Sequence, residues 1–183
     1  MKKILFIIGS FRERSFNRQL AERAARYVEQ GGAKAQFLEY RDVPFVNQDI
    51  DYPVPEPVAR IRKEVAEADG LWLISPEYNH SYSGVIKNAI DWLSRPVDPL
   101  DRKTPSALAG KKAVISGAAG NDAAIDARLN MVNLLNAVKV EVIGGEGMGV
   151  ALDKEAFVSD ELKLSDEEEA QLEELAKILL ESI

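Results

Sequence analysis

The chain contains no cysteine and only one histidine, His80, among its 183 residues. The lack of cysteine excludes disulfides, thiolate nucleophiles, iron–sulfur clusters and cysteine-ligated zinc. With one histidine there is no multi-histidine metal cluster, and a Ser-His-Asp triad would have to form around that single residue. We therefore expect no metal site, and a bound cofactor would have to carry any redox chemistry.

Positive charge is also scarce, because 23 Lys and Arg residues face 30 Asp and Glu residues, for a net charge of -7. This balance argues against a general nucleic-acid binder, although a few local cations suffice for a small phosphorylated ligand. The apolar opening at residues 3–9 is too short for a signal-peptide core or a membrane span. We expect a single domain over residues 1–183, located in the cytoplasm without membrane or nucleic-acid partners.

Strands and helices are predicted to alternate along the chain. Residues 3–8 form an Ile-rich run without polar alternation, which is typical of a strand buried on both faces of a parallel sheet. Further strands are predicted at 35–40, 71–74, 111–117 and 139–143, and helices after Ser15, at 58–68, 83–93 and 123–137, and after the capping box that begins at Ser165. Right-handed crossovers then give a three-layer, doubly wound α/β domain with a five-stranded parallel sheet in the order 2-1-3-4-5.

The loop at residues 9–17 follows the predicted central strand and precedes a helix. Ligands bind such sheets beyond the carboxyl ends of the strands where the strand order reverses, here between strands one and three. A helix amino terminus attracts anions, and Ser10, Ser15 and Asn17 add polar donors while Arg12 adds a cation. The pattern favours a phosphate, yet it matches neither the dinucleotide fingerprint nor the nucleoside-triphosphate loop. Alternatively, Ser15 is only a helix cap and the arginines are solvated.

Two further loops start at the same predicted sheet edge. Residues 76–84 combine Pro76 and Tyr78, which offer a flat apolar surface, with backbone N–H groups. Residues 116–121 are small enough for a ligand to approach the backbone closely. The alternatives are that the tyrosine is an ordinary surface aromatic and that the second loop is a plain tight turn.

The first loop carries the motif Gly9-Ser10-x-Arg12-x-x-Ser15-x-Asn17. The second carries Pro76-Glu77-Tyr78-Asn79, followed by Ser83-Gly84-Val85-Ile86-Lys87-Asn88-Ala89-Ile90-Asp91-Trp92. Together these motifs resemble the NADPH-dependent FMN reductase family. This family of flavodoxin-like proteins includes azo-dye, quinone and chromate reductases. The resemblance implies that the FMN phosphate is held by Ser10, Arg12, Ser15, Phe16 and Asn17, that the isoalloxazine is lined by Pro76, Glu77, Tyr78 and Asn79, and that Ser116 and Gly117 touch the flavin. The third loop departs from the family's commoner Ser-Pro-Gly-x-x-Gly-Gly form, since it lacks the proline and one glycine.

The resemblance also implies a function. NADPH or NADH would give hydride to FMN, and a quinone, azo compound, metal oxyanion or free flavin would then take the electrons. The family commonly forms homodimers or homotetramers, with segments 83–95 and 96–105 as candidate interfaces. The alternative is a flavodoxin-type one-electron carrier that does not oxidise NAD(P)H. A phosphorylated receiver module is disfavoured, because it needs carboxylates where this chain has Gly9-Ser10 and Ser75-Pro76. No proton-transfer role is assigned to His80.

Overall fold

A computed structural model describes residues 1–96, 98 and 103–183. The strands are β1 (Lys3–Ile8), β2 (Lys34–Phe37), β3 (Gly70–Ile74), β4 (Lys112–Ala119), β5 (Glu141–Val142) and β6 (Met148–Ala151). The helices are α1 (Phe16–Gln30), α2 (Glu56–Glu67), α3 (Gly84–Leu93), α4 (Ile125–Ala137), α5 (Lys154–Ser159) and α6 (Asp166–Ser182). None of the helices in these ranges is long and apolar enough to cross a bilayer.

The sheet is parallel throughout and runs in the order β2-β1-β3-β4-β5, which confirms the predicted topology. Strand β6 also pairs with β4, along Ser116–Ala119. It lies on the same edge of β4 as β5, which pairs with the first two residues of β4. The fifth position of the sheet is therefore filled by two short segments, where the sequence predicted one strand at 139–143. The pairing with β6 lengthens β4 by two residues beyond its predicted end at Gly117.

Helices cover both faces of the sheet, and the side chains of β1 show how the two cores are divided. Ile4, Phe6 and Ile8 pack with α1, α5 and α6, whereas Leu5 and Ile7 pack with α2, α3 and α4. Because both faces of a central parallel strand are buried, every position of β1 after the first is apolar. On α3, the side chains of Ile86, Ile90, Trp92 and Leu93 are buried in the core.

Helix starts follow the local capping signals of the sequence. Ser15 caps α1 by accepting a hydrogen bond from the Arg18 N–H, and Ser165 and Glu168 form the predicted capping box of α6. The start of α4 differs from the prediction, because Ala123 and Ala124 have positive φ angles of 50° and 57°. The helix therefore begins at Ile125 and follows a tight turn that leaves the end of β4.

Candidate functional site

A cavity of about 210 Å³ lies at the carboxyl edge of the sheet, where the loops after β1, β3 and β4 meet. This is the expected position for a ligand in an open parallel sheet. Of the eleven residues predicted from the sequence, the cavity is lined by Ser10, Arg12, Ser15, Phe16, Asn17, Pro76, Glu77 and Tyr78. Asn79, Ser116 and Gly117 do not line it, and the remaining wall is formed by Ala118, Ala119, Gly120, Leu152 and Phe157.

The amino terminus of α1 supplies hydrogen-bond donors at one end of the cavity. The backbone N–H groups of Phe16 and Asn17 have no acceptor among the described residues, as expected in the first turn of a helix. The Ser15 Oγ accepts a hydrogen bond from the Arg18 N–H at 3.2 Å, which leaves its own hydroxyl proton for another partner. These N–H groups and the helix dipole favour an anion at this end.

The side chain of Asn17 fastens this helix terminus to the end of β4. Its Nδ2 donates to the Ala118 carbonyl at 2.9 Å, and its Oδ1 accepts from the Ala118 N–H at 2.8 Å. Asn17 is buried, with 3% of its surface exposed, so this paired contact is shielded from water. Both polar atoms of the side-chain amide are therefore used to join α1 to β4, and the backbone N–H is the group that Asn17 still offers to a ligand.

Arg12 lies at the mouth of the cavity and is not isolated. Its guanidinium forms an ion pair with Asp160, a residue 148 positions later in the chain, and lies 5.1 Å from the centre of the Phe16 ring. Arg14 approaches the same carboxylate at 3.8 Å. Two guanidinium groups therefore lie within ion-pair distance of one carboxylate.

The second predicted loop closes in a tight turn between Tyr78 and Ser81. Their backbones exchange hydrogen bonds of 2.8 and 3.2 Å, and Asn79 and His80 between them have φ angles of 52° and 60°. Positive φ at both central residues is the backbone of a type I′ turn, in which asparagine is favoured at the first of them. Asn79 is thus an exposed turn residue outside the cavity, while Pro76 is buried in its wall.

Glu77 and His80 connect this loop to the start of α4. Glu77 Oε2 accepts from the Ala127 N–H at 3.1 Å, and His80 Nδ1 lies 2.7 Å from Asp126 Oδ2 and 3.9 Å from Glu77 Oε1. Nδ1 and the two carboxylates place one ligand atom each within 4.8 Å of one another, a spacing that a cation could also use. In the structure the contact between His80 and Asp126 is a hydrogen bond, which becomes an ion pair when His80 is protonated, and it holds the turn against α4.

This ion pair predicts a pH-dependent stability. The pKa of His80 is raised, first by its hydrogen bond with Asp126 and then by the charges of Asp126 and Glu77. A raised pKa in the folded state means that the stabilisation is full below the unfolded pKa of about 6.5 and is lost as the pH rises through the folded value. Thermal unfolding of the wild type and His80→Gln should therefore differ more at about pH 5.5 than at about pH 9. If the wild type and His80→Gln differed in melting temperature by the same amount at both pH values, protonation of His80 would not contribute to stability.

The third predicted loop begins later in the chain than expected, because β4 continues to Ala119. Ser116 is fully buried, and its Oγ accepts from Trp72 Nε1 at 2.9 Å, so this side chain belongs to the core. At Gly117 an added Cβ would lie 2.6 Å from the Ser75 carbonyl oxygen, so close packing of the backbone requires a glycine here. Because β4 continues to Ala119, the backbone that leaves the sheet beside the cavity is that of residues 118–120.

Leu152 and Phe157, which the sequence analysis did not identify, form the remaining apolar wall. They lie just after β6 and on α5, and Phe157 packs edge-on against Phe16 with ring centres 5.6 Å apart. Gln19 fastens this segment to α1 by donating to the Asp160 carbonyl at 2.9 Å and accepting from the Leu162 N–H at 2.8 Å. The available signal in the sequence was a lone aromatic residue, Phe157, in a largely polar segment, and it is a weak one.

Similar proteins point to one family. A family model described as NADPH-dependent FMN reductase matches residues 2–154. A 2-hydroxy-1,4-benzoquinone reductase of a Burkholderia species is 42% identical over 94 residues, which cover 51% of each protein. An NAD(P)H-dependent FMN reductase of Pseudomonas aeruginosa is 37% identical over 113 residues, covering 61% of this chain and 60% of that protein. The chain thus spans about half to three fifths of the length of these relatives.

Solved structures agree with the fold. FerB, a flavoenzyme NAD(P)H:(acceptor) oxidoreductase from Paracoccus denitrificans, superposes with a TM-score of 0.83 at 27% identity, covering 99% of this chain and 96% of that one. Flavodoxin 1 from Bacillus cereus superposes with a TM-score of 0.62 at 13% identity, covering 100% and 99%, and at that identity it bears on the fold alone. With a family model matched over most of its length and a flavodoxin-like sheet, this chain belongs to the NADPH-dependent FMN reductase family.

Proposed function

We propose that this chain is an NAD(P)H-dependent reductase that binds FMN in the cavity at the carboxyl edge of its sheet. The observation that carries the proposal is the convergence of three loops on one cavity that combines an anion site with apolar walls. The α1 amino terminus and Arg12 supply donors, and Pro76 and Tyr78 of the loop after β3 supply apolar surface. A phosphorylated planar ligand requires this combination of an anion site and a flat apolar wall.

The donor set fits the phosphate of FMN. Phe16 and Asn17 offer backbone N–H groups, Ser10 and Ser15 offer hydroxyls, and Arg12 offers a guanidinium. Hydrogen bonds from charged or oriented donors to an anion are stronger than neutral ones, and several donors share the charge of a dianion. The carboxylate of Asp160 next to Arg12 keeps the guanidinium at the rim of the cavity.

The rest of the cavity wall fits a flavin ring. Ala118, Ala119 and Gly120 carry almost no side chain, so a ring can lie close to the backbone, and Leu152 and Phe157 provide an apolar flank. The cavity of about 210 Å³ is smaller than the roughly 300–1,000 Å³ of pockets that enclose most of a ligand. A flavin would therefore remain partly exposed, which leaves room for a nicotinamide and then an acceptor.

When bound, FMN would supply the redox chemistry, which is the transfer of hydride from NADPH or NADH and of electrons to an acceptor. The residues of this chain bind and orient the reactants and exclude side reactions, for which no protein nucleophile is needed. A quinone is the acceptor that the relatives' names favour, and an azo compound, a metal oxyanion or free flavin are the other acceptors we propose from the family resemblance.

We also propose a domain organisation, a cellular location and an oligomeric state for the protein. We propose a single domain over residues 1–183 that acts in the cytoplasm as a homodimer or homotetramer. Segments 83–95 and 96–105 are the proposed interface, and residues 97 and 99–102 lie outside the described residues. The molar mass of the protein in solution, measured by light scattering, tests the proposed oligomeric state.

Reduction of added FMN under anaerobic conditions tests the enzyme claim. With NADPH or NADH present, the absorbance of oxidised flavin at about 450 nm should disappear. Persistence of the oxidised band with both nucleotides would refute the proposal, and a stable one-electron semiquinone without NAD(P)H oxidation would instead identify a flavodoxin-type carrier.

Replacing Arg12 by glutamine tests the phosphate site. We expect FMN affinity to fall about tenfold, as for one charge-assisted hydrogen bond, with no change for riboflavin, which lacks the phosphate. Arg26→Gln is the control, because Arg26 is an exposed residue of α1 that does not line the cavity. Isothermal titration calorimetry measures both ligands, and an equal loss for FMN and riboflavin would place the phosphate elsewhere.

A further inference from the structure

A second cavity of about 220 Å³ adjoins the proposed flavin site on the other side of the loop after β1. It lies over the carboxyl ends of β1 and β2, and its lining includes Phe11, Arg18, Tyr40 and Arg41. Ser10 and Arg12 line both cavities, so the two share one wall. A ligand that extends beyond the flavin site on this side would reach the second cavity directly.

The cationic groups of this second cavity are engaged to different degrees. Arg12 pairs with Asp160, and Arg18 lies 3.2 Å from Glu22 and 3.8 Å from Glu39. Arg41 has no carboxylate within ion-pair distance in the described parts of the chain. Its charge is therefore the one in this cavity that no carboxylate of the described residues neutralises by direct contact.

The position of Arg41 is nevertheless fixed by neighbouring groups. Its guanidinium donates to the Phe11 carbonyl and lies 4.9 Å from the centre of the Phe11 ring. Phe11 in turn packs edge-on against Tyr40 with ring centres 4.9 Å apart, and the buried Tyr40 hydroxyl donates to the Ile8 carbonyl at 2.5 Å. A guanidinium has five N–H donors, so the one hydrogen bond to Phe11 leaves most of them for an anion.

We propose that Arg41 binds the 2′-phosphate of NADPH and so makes the enzyme prefer NADPH to NADH, an inference that rests on the proposed function. The two nucleotides differ only in this phosphate, at the end remote from the nicotinamide. With the nicotinamide at the exposed flavin, the adenosine end has to lie on neighbouring surface. The second cavity provides there an aromatic side chain and a fixed guanidinium, which is the preferred partner of a phosphate.

Two carboxylates oppose this anion site. Glu13 and Glu39 also line the second cavity. Glu39 lies beside Arg18, so part of its charge is offset, whereas Glu13 has no cation within ion-pair distance among the described residues. A phosphate next to Glu13 would be repelled, and removing that charge is expected to strengthen NADPH binding.

Substitutions at the two positions should therefore act in opposite directions. For Arg41→Gln in the FMN-loaded protein, we expect the ratio of kcat/KM with NADPH to kcat/KM with NADH to fall about tenfold, mainly through KM. Arg41→Lys should retain much of the ratio, Glu13→Gln should raise it, and the exposed Arg26→Gln on α1 should leave it unchanged. A ratio that Arg41→Gln does not alter would overturn the inference while leaving the proposed reductase activity intact.

A binding measurement tests the same site without turnover. Calorimetry with the FMN-loaded wild type should give tighter binding of adenosine 2′,5′-bisphosphate than of adenosine 5′-monophosphate, and Arg41→Gln should remove the difference. Inorganic phosphate serves as a competitor in the same measurement. If the site bound anions in general, inorganic phosphate would compete as effectively as the bisphosphate. Equal affinities of the two nucleotides for the wild type, or effective competition by inorganic phosphate, would overturn the assignment even if the protein oxidised neither NADPH nor NADH.

Discussion

Replacing Asn17 by alanine is expected to lower the free energy of unfolding by about 2–4 kcal/mol, because two buried backbone groups would lose their partners. The Ala118 N–H and carbonyl both bond to the Asn17 amide at 2.8 and 2.9 Å. Alanine can replace neither bond, and the site is too buried for bulk water to do so. The start of α1 would also lose its fastening to β4, so we expect FMN affinity to fall with the stability.

Urea unfolding followed by circular dichroism measures this effect, and fluorescence titration of FMN measures the affinity. Asn133→Ala is the matched control, since Asn133 is an exposed residue of α4, and such changes usually alter stability by less than about 0.5 kcal/mol. If Asn17→Ala were as stable as this control, the bonds to Ala118 would contribute nothing to the fold. If the variant were destabilised but bound FMN normally, the phosphate would not depend on this end of α1.

Replacing Gly147 by alanine is expected to cost at least about 4 kcal/mol, because the backbone leaves no space for a side chain. An added Cβ would lie 1.7 Å from the Ile115 carbonyl oxygen, an atom in the middle of β4 that cannot move without breaking the sheet. The φ angle of Gly147 is 67°, a conformation that L-amino acids adopt at a cost of their own. Relief of the clash would push β6 away from β4.

Gly145 offers a control that isolates the clash. Its φ angle is 65°, yet an added Cβ would meet no atom within 4 Å, so Gly145→Ala should cost only about 1–2 kcal/mol. Thermal and urea unfolding of the two variants measure the difference. Similar stabilities for both would mean that backbone conformation, and not the approach to Ile115, explains the glycine at position 147.

The loss of β6 would reach the functional site, because β6 leads directly to Leu152 and Phe157 in the wall of the cavity. Arg128 holds the backbone that leads into β6. This buried side chain donates through Nη1 to the carbonyls of Glu146 at 3.1 Å and Gly147 at 3.2 Å, and burial lowers its pKa. The loop between β5 and β6 is thus held by a cation from α4, a contact that no local pattern indicates.

Local signals in the sequence account for most of the elements. The apolar run at 3–8 predicted β1 correctly, and Ser15 and Ser165 with Glu168 marked two helix starts, because caps and strand periodicity act over a few neighbouring residues. The alternation of strands and helices predicted a doubly wound parallel sheet, since crossovers in parallel sheets are right-handed, and the structure confirms the predicted strand order. The motifs at 9–17 and 76–79 also determined the family, which the matched family model confirms.

Only the tertiary structure decided which side chains remain available around the cavity. The sequence placed Asn17, Glu77 and Ser116 at the sheet edge, but each of these side chains is bonded to another element of the chain. Asp160 meets Arg12 from 148 positions away, and β6 forms because β4 offers it a free edge. Hydrogen bonds and strand pairing depend on distance in space and not along the chain, so composition and spacing determine the fold, whereas packing determines the site.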